Sequence, residues 1–155
     1  MGLITFASDA SNVLPVNAGY SRALREAGLG EDAGLIAREF GFAIESGGDG
    51  ARKLLASAQP PTAIFAISDM LALGAMRAIK AAGLRVPHDI ALAGFNDIPM
   101  AGMVDPPLTT ITAPADAAGR EAMKMLQGLI AGKQPLQKRM VLPTSLVVRQ
   151  SCGCS

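Results

Sequence analysis

Short apolar runs without polar alternation recur along this chain, separated by longer stretches whose apolar positions fall three or four residues apart. Residues 3–6 (LITF) form the first run, bounded by the polar stretch 7–12, and read as a buried strand. Val16, Tyr20, Ala23, Leu24 and Ala27 then recur at helical spacing, with Pro15 near the start and Gly28 at the stop. Residues 35–37 make a second short strand. Ser46 and Asp49 can each cap a helix whose apolar face is Ala51, Leu54, Leu55 and Ala58. Gln59-Pro60-Pro61-Thr62 is a loop, because a residue before proline is pushed out of the helical region. A third strand covers 63–66, a long apolar helix opens at Ser68-Asp69 and stops at Gly83, and a fourth strand at 90–94 runs into Phe95-Asn96-Asp97.

Non-alternating strands separated by amphipathic helices predict an α/β fold, with a parallel sheet covered by helices on both faces and right-handed crossovers. Beyond Asn96 the pattern changes. Residues 98–103 suit a helical turn, Asp105-Pro106-Pro107 breaks it, and 108–112 is β-branched and extended. Asp116 is placed to cap a helix whose inner face is Ala118, Ala122, Met125, Leu126 and Leu129, closed by Gly132. Two last strands, 140–142 and 146–148, flank Pro143. No internal repeat or low-complexity segment interrupts the order.

Composition narrows the function classes. A length of 155 residues suits one ordinary domain, and with half of them hydrophobic but only 4% aromatic and no Trp, the core must be aliphatic. The net charge of +1 comes from scattered Lys and Arg, which leaves no basic stripe to track nucleic acid. The two cysteines, Cys152 and Cys154, lie in what reads as a frayed tail, where a disulfide framework is not expected. One His and no further Cys cannot complete a tetrahedral metal site around them. A reduced, cytoplasmic compartment fits best. The start shows no charged n-region followed by a long apolar h-region, and no apolar stretch reaches the roughly 20 residues of a membrane span.

The candidate chemistry sits at strand ends. Ser68-Asp69 follows a strand and opens a helix, so either residue can cap while the other points into a cleft, where the helix dipole favours a polar ligand. Asn96 ends a strand and either forms an Asx-type turn or offers its donor and acceptor to a polyol or base edge. Phe42, in Phe40-Gly41-Phe42, is either core or a ring face lining a cavity that suits sugars and bases. Ser46-Gly47-Gly48-Asp49-Gly50 is glycine-rich but lacks the Gly-Lys-Ser/Thr of a phosphate loop. Gly28-Leu29-Gly30 ends a helix rather than opening one, and His88 beside Pro87 reads as a solvated loop residue. Asp97 and Asp105 could be paired as carboxylates, but nothing around them supports it. No nucleophile has a base to serve it. The expectation is a binding module with no catalytic residue, no metal and no cofactor.

Taken in order, these residues resemble the effector-binding region of the LacI/GalR family of bacterial transcription regulators. The resemblance rests on Gly19-Tyr20, Ala27-Gly28-Leu29, Glu45-Ser46-Gly47 and Pro61-Thr62-Ala63-Ile64-Phe65. It continues through Ser68-Asp69, Ala72-Leu73-Gly74-Ala75, Gly83-Leu84-Arg85-Val86-Pro87 and Gly94-Phe95-Asn96-Asp97-Ile98-Pro99. Pro107-Leu108-Thr109-Thr110-Ile111 and Leu146-Val147-Val148-Arg149 complete it.

The family implies a periplasmic-binding-protein-like type I fold, mainly its C-terminal subdomain here, with a small effector in a cleft between two α/β subdomains. It implies that Phe42 stacks on the effector, that Ser68 borders the cleft and that Asn96 bonds effector hydroxyls or base atoms. Residues 1–112 and 145–155 correspond to the C-terminal effector-binding subdomain, and 113–144 to the part that crosses into a mostly absent N-terminal subdomain. Val16 stands where the family often has an effector-binding Arg, and Ala113 where it often has Gln. Both departures point to an uncharged or smaller effector, sugar-like or nucleobase-like.

The family's helix-turn-helix and hinge helix are missing, so the chain is expected to be truncated at its N-terminus and to meet DNA only through an absent domain. The helix 116–131 is then expected to have lost its sheet, leaving its apolar face exposed or against a partner. The nearly all-apolar helix 70–82 suits deep burial or the interface of a homodimer. A solute-binding protein or sensor module of the same fold, without a role at DNA, is the alternative.

Overall fold

The computed structural model describes residues 1–7, 13–133 and 139–154. Its elements follow one another as β1 (Gly2–Phe6), α1 (Val13–Glu26), β2 (Ile36–Glu39), α2 (Ile44–Leu55), β3 (Ala63–Ala66) and α3 (Asp69–Ala81). The chain continues with β4 (Ala91–Asn96), β5 (Thr109–Thr112), α4 (Ala115–Ile130) and β6 (Ser145–Val147). The six strands form one sheet in the order β2-β1-β3-β4-β5-β6. All neighbours are parallel except β6, which runs antiparallel to β5. The α/β class expected from the alternation is therefore the class observed.

Burial explains why the strands lack polar alternation. Every position of β1 is buried, as a central strand covered on both faces requires. Its Leu3 and Ile4 join Ile64, Leu71, Ile79, Leu92 and Leu108 in an aliphatic core. Tyr20 reaches into that core from α1 and donates its hydroxyl to the Met1 carbonyl at 2.6 Å.

The glycine-rich stretch has a packing role. A methyl group added at Gly47 would overlap the Leu71 carbonyl, and one at Gly74 would overlap the Ile44 carbonyl. Helices α2 and α3 thus meet backbone to backbone, an approach only glycine permits. This contact also corrects the expected start of α2. Neither Ser46 nor Asp49 caps it. The helix begins at Ile44 behind Ala43, which makes no side-chain capping bond. Its first turn packs closely on α3 without a cap, and Asp49 pairs with Arg52 within the helix.

Three further expectations change. Helix α4 starts behind Pro114 without a side-chain cap, and Asp116 lies in its first turn paired with Arg120. The strand expected at 140–142 is absent, since 139–144 have no regular structure. The pairing of Thr112 with Ser145 continues the register of β5 against β6, so 140–142 would face 115–117, which are already helical in α4. Nor is the C-terminal segment frayed. Ser151 is fully buried, accepts from the Thr109 N–H at 2.8 Å and donates to the Leu92 carbonyl at 2.6 Å.

Candidate functional site

In a parallel sheet all carboxyl ends lie along one edge, and ligands bind in the crevice outside it. Along that edge the strand order places, side by side, the loop after β2 with Phe42, the end of β1 at Phe6, the start of α3 at Ser68, and the end of β4 at Asn96. Strands β3 and β4 are hydrogen-bonded neighbours, so Ser68 and Asn96 follow adjacent strand tips. The three residues singled out from the sequence fall on one edge.

Each has a distinct environment. Ser68 is the N-cap of α3, in extended conformation, and its Oγ accepts from the Leu71 N–H at 3.2 Å. The cap satisfies a donor that the first helical turn leaves unpaired, and leaves the hydroxyl proton available to donate. Only 9% of Ser68 is exposed, against 66% of Phe42. The Phe42 ring lies over Phe6, with centroids 3.9 Å apart and planes inclined by 48°. It is therefore not a core residue: one face is supported by a buried ring and much of the rest is open. Asn96 is exposed, and its φ of 111° lies where few residues other than glycine settle.

Two carboxylates hold that unusual backbone in place. Asp69 does not point into a cleft. It is 1% exposed, accepts the Thr110 hydroxyl at 2.5 Å, and accepts the Ile98 N–H at 2.9 Å. Asp97, itself at φ 54°, accepts from the Arg149 guanidinium at 2.7 Å and from the Thr112 hydroxyl at 3.1 Å. The Arg149 bond, helped by Thr112, keeps the Asp97 carboxyl below its ordinary pKa. The backbone just after Asn96 is thus fixed by two anchors, one from α3 and one from the segment after β6. Strained residues persist where surrounding structure over-determines them, and they cluster at ligand sites.

Sequence reading missed Phe6, Asp69 as an anchor, and Arg149. Phe6 carried a signal, as an aromatic at the end of a buried strand in a chain nearly without aromatics. Arg149 lies 52 positions from Asp97, a separation at which spacing carries no information. The positions that depart from the family pattern are quiet: Val16 packs against the core, and Ala113 is half-buried. Among the described residues, no three His, Cys, Asp or Glu gather to hold a metal.

The profile described as "periplasmic binding protein-like domain" matches residues 1–152. Solved structures that the chain superposes on are regulators of the LacI family. The chain belongs to that family, LacI/GalR. It corresponds to part of that family's effector-binding region, and its relatives are transcriptional regulators rather than enzymes. It is 41% identical over 133 residues to the HTH-type transcriptional repressor CytR of Escherichia coli, covering 86% of this chain and 39% of CytR. It is 39% identical over 134 residues to the HTH-type transcriptional regulator CelR of Thermobifida fusca, again covering 86% of this chain and 39% of the relative. Among solved structures, a transcriptional regulator CelR–cellobiose complex superposes with a TM-score of 0.91 at 35% identity, covering 97% of this chain and 46% of that one. A LacI-family regulatory protein from Chloroflexus aggregans superposes with a TM-score of 0.89 at 33% identity, covering 97% of this chain and 54% of that one. The chain spans less than half the length of these two curated relatives.

Proposed function

We propose that this chain is the sensing part of a cytoplasmic LacI/GalR-type regulator, and that it grips a small uncharged effector, sugar-like or nucleobase-like, at the carboxyl edge of the sheet. The observation that carries the reading is the open Phe42 ring braced on Phe6, on the same edge as Ser68 and Asn96. Aromatic faces pack well against the apolar faces of sugars and bases. The Ser68 hydroxyl and the Asn96 amide supply donors and acceptors for the polar rim of such a ligand. No Lys or Arg stands among these three residues to favour an anion, and Val16 and Ala113 add no polar group. That a relative was solved with cellobiose supports the sugar-like class.

Effector binding acts on DNA only if the effector prefers one arrangement of the regulator over another. DNA contact then belongs to a helix-turn-helix outside this chain. Residues 1–112 and 145–155 form the sensing subdomain, and 113–144 lead into a second one. The lack of any buried residue in α4 supports that division.

We also propose that the regulator is a homodimer through the face formed by α3 and residues 99–105. Leu73, Met76, Met100 and Val104 line a groove of about 510 Å³ there, rimmed by Arg77, Lys80 and Asp105. A rim with both signs of charge suits a symmetric, self-complementary contact.

A thermal-shift screen of neutral sugars and nucleosides tests the sensing claim, because a ligand selective for the native state raises Tm. A hit is expected whose shift is lost in Phe42→Ala and in Asn96→Ala. A hit that both variants keep in full contradicts the assignment.

A further inference from the structure

We propose that Cys152 and Cys154 form a dithiol site that small disulfides oxidise reversibly to an internal disulfide. The pair lies on a built turn. Residues Gln150–Cys152 form a 3-10 turn that ends at Gly153, whose φ of 72° folds the chain back. As a result the Cys154 N–H donates to the Cys152 sulfur at 3.2 Å, and the Cys154 thiol lies 3.9 Å from the Cys152 carbonyl. A disulfide needs Cα atoms about 4.4–6.8 Å apart, a span that two residues flanking a tight turn satisfy. Fully buried Ser151, bonded to both β4 and β5, anchors the turn to the sheet.

The two sulfurs differ in a way that assigns their roles. When protonated, the Cys152 thiol donates to the Arg149 carbonyl at 3.4 Å. Burial opposes its ionisation, but the Cys154 thiol, the Thr109 hydroxyl and the Cys154 N–H outweigh burial and keep its pKa below the ordinary thiol value. Cys154 is exposed, and the bond to its neighbour raises its own pKa. Thiolate character governs which sulfur attacks. The Cys154 backbone N–H, aimed at the Cys152 sulfur at 3.2 Å, favours the thiolate there, so Cys152 is the nucleophile and exposed Cys154 the resolving thiol.

With glutathione disulfide as oxidant, the Cys152 thiolate attacks one sulfur, breaks the S–S bond and expels one glutathione thiolate. The Cys154 thiolate then attacks the Cys152 sulfur of the mixed disulfide and expels the second glutathione. The two protein thiols are oxidised, one glutathione disulfide is reduced to two glutathiones, and the two thiol protons end on them. Reduced glutathione in excess reverses both steps. The turn also carries Arg149, the partner of Asp97, so the modified segment lies directly behind the tip of β4.

Intact-mass measurement of the full chain in acid-quenched glutathione buffers of graded potential tests this. The wild type is expected to lose two hydrogens without accumulating an adduct, and to recover its mass on reduction. Cys154→Ser is expected to trap one glutathione on the remaining thiol. Cys152→Ser is expected to react about fivefold more slowly or worse than Cys154→Ser. Two glutathione adducts on the wild type, disulfide-linked dimers, no mass change, or equal rates in the two variants would each overturn the proposal. Because Cys154 is exposed, Cys154→Ser keeps the test valid should Cys152→Ser fold poorly.

Discussion

Helices α3 and α4 both carry an apolar stripe at helical spacing, yet they end in opposite environments. Nine of the residues of α3 are buried, including Leu71, Met76 and Ile79. None of α4 is, and Leu126 and Leu129 remain 48% and 50% exposed. The difference is not one of helix quality, since α4 is the longer and carries ion pairs from Asp116 to Arg120 and from Glu121 to Lys124. Helix α3 lies on its own sheet and is gripped by α2 through glycines. A hydrophobic stripe states that a helix requires a cover; only the rest of the fold decides whether the same chain supplies it. The apolar face of α4 is left exposed, one of the two outcomes expected for it.

The comparison breaks first at the helix contact. Gly74→Ala places a methyl group against the Ile44 backbone carbonyl, which cannot move aside as a side chain would. It is expected to destabilise the chain by about 3 kcal/mol, read by urea unfolding. A loss below about 1 kcal/mol would mean that α2 and α3 are not held at backbone contact.

Asp69→Ala comes next. It strips the buried Thr110 hydroxyl and the part-buried Ile98 N–H of their acceptor, at an expected cost of about 2 kcal/mol. The same variant frees the backbone after Asn96, so amide exchange is expected to rise at 96–98 more than along α4.

The Asp97–Arg149 pair predicts a pH dependence. Asp97 titrates below its ordinary value in the folded chain. The unfolded chain therefore binds its proton first as pH falls, and the stability the pair contributes is full above about pH 4 and lost as pH drops through the folded pKa. Arg149→Met removes that contribution. Its deficit against wild type is expected at pH 7 and should shrink near pH 3. A deficit independent of pH would assign the role of Arg149 to packing and to its bond with the Leu108 carbonyl.

The smallest effect belongs to α4. Leu126→Ser is expected to change stability by no more than about 0.5 kcal/mol, as at other exposed positions. A loss as large as that of a core leucine would show that the face is covered after all.

Much of this was legible in the sequence. The short apolar runs marked the six strands and one more, at 140–142, that does not form, and Ser68 announced the start of α3 because an N-cap acts within three residues of itself. What failed depended on distant partners. The true start of α2 is set by α3, whose Gly74 is 30 positions from Ile44. The missing strand at 140–142 is excluded by where β5 ends. The order of the C-terminal turn depends on Ser151 reaching Leu92. The same divide runs through the site. Ser68 and Asn96 could be named because they stand at strand tips, and Phe42 because the family resemblance puts a ring there, whereas Phe6 beneath Phe42 and Arg149 behind Asp97 became visible only when the sheet brought them together.

The most direct test is a crystal structure of the chain bound to the strongest neutral ligand from the thermal-shift screen. The ligand is expected to lay an apolar face on Phe42 and to place hydroxyl or amide groups on Ser68 and Asn96. A ligand seated away from the carboxyl ends of β1 to β4, with those three side chains untouched, would contradict the account.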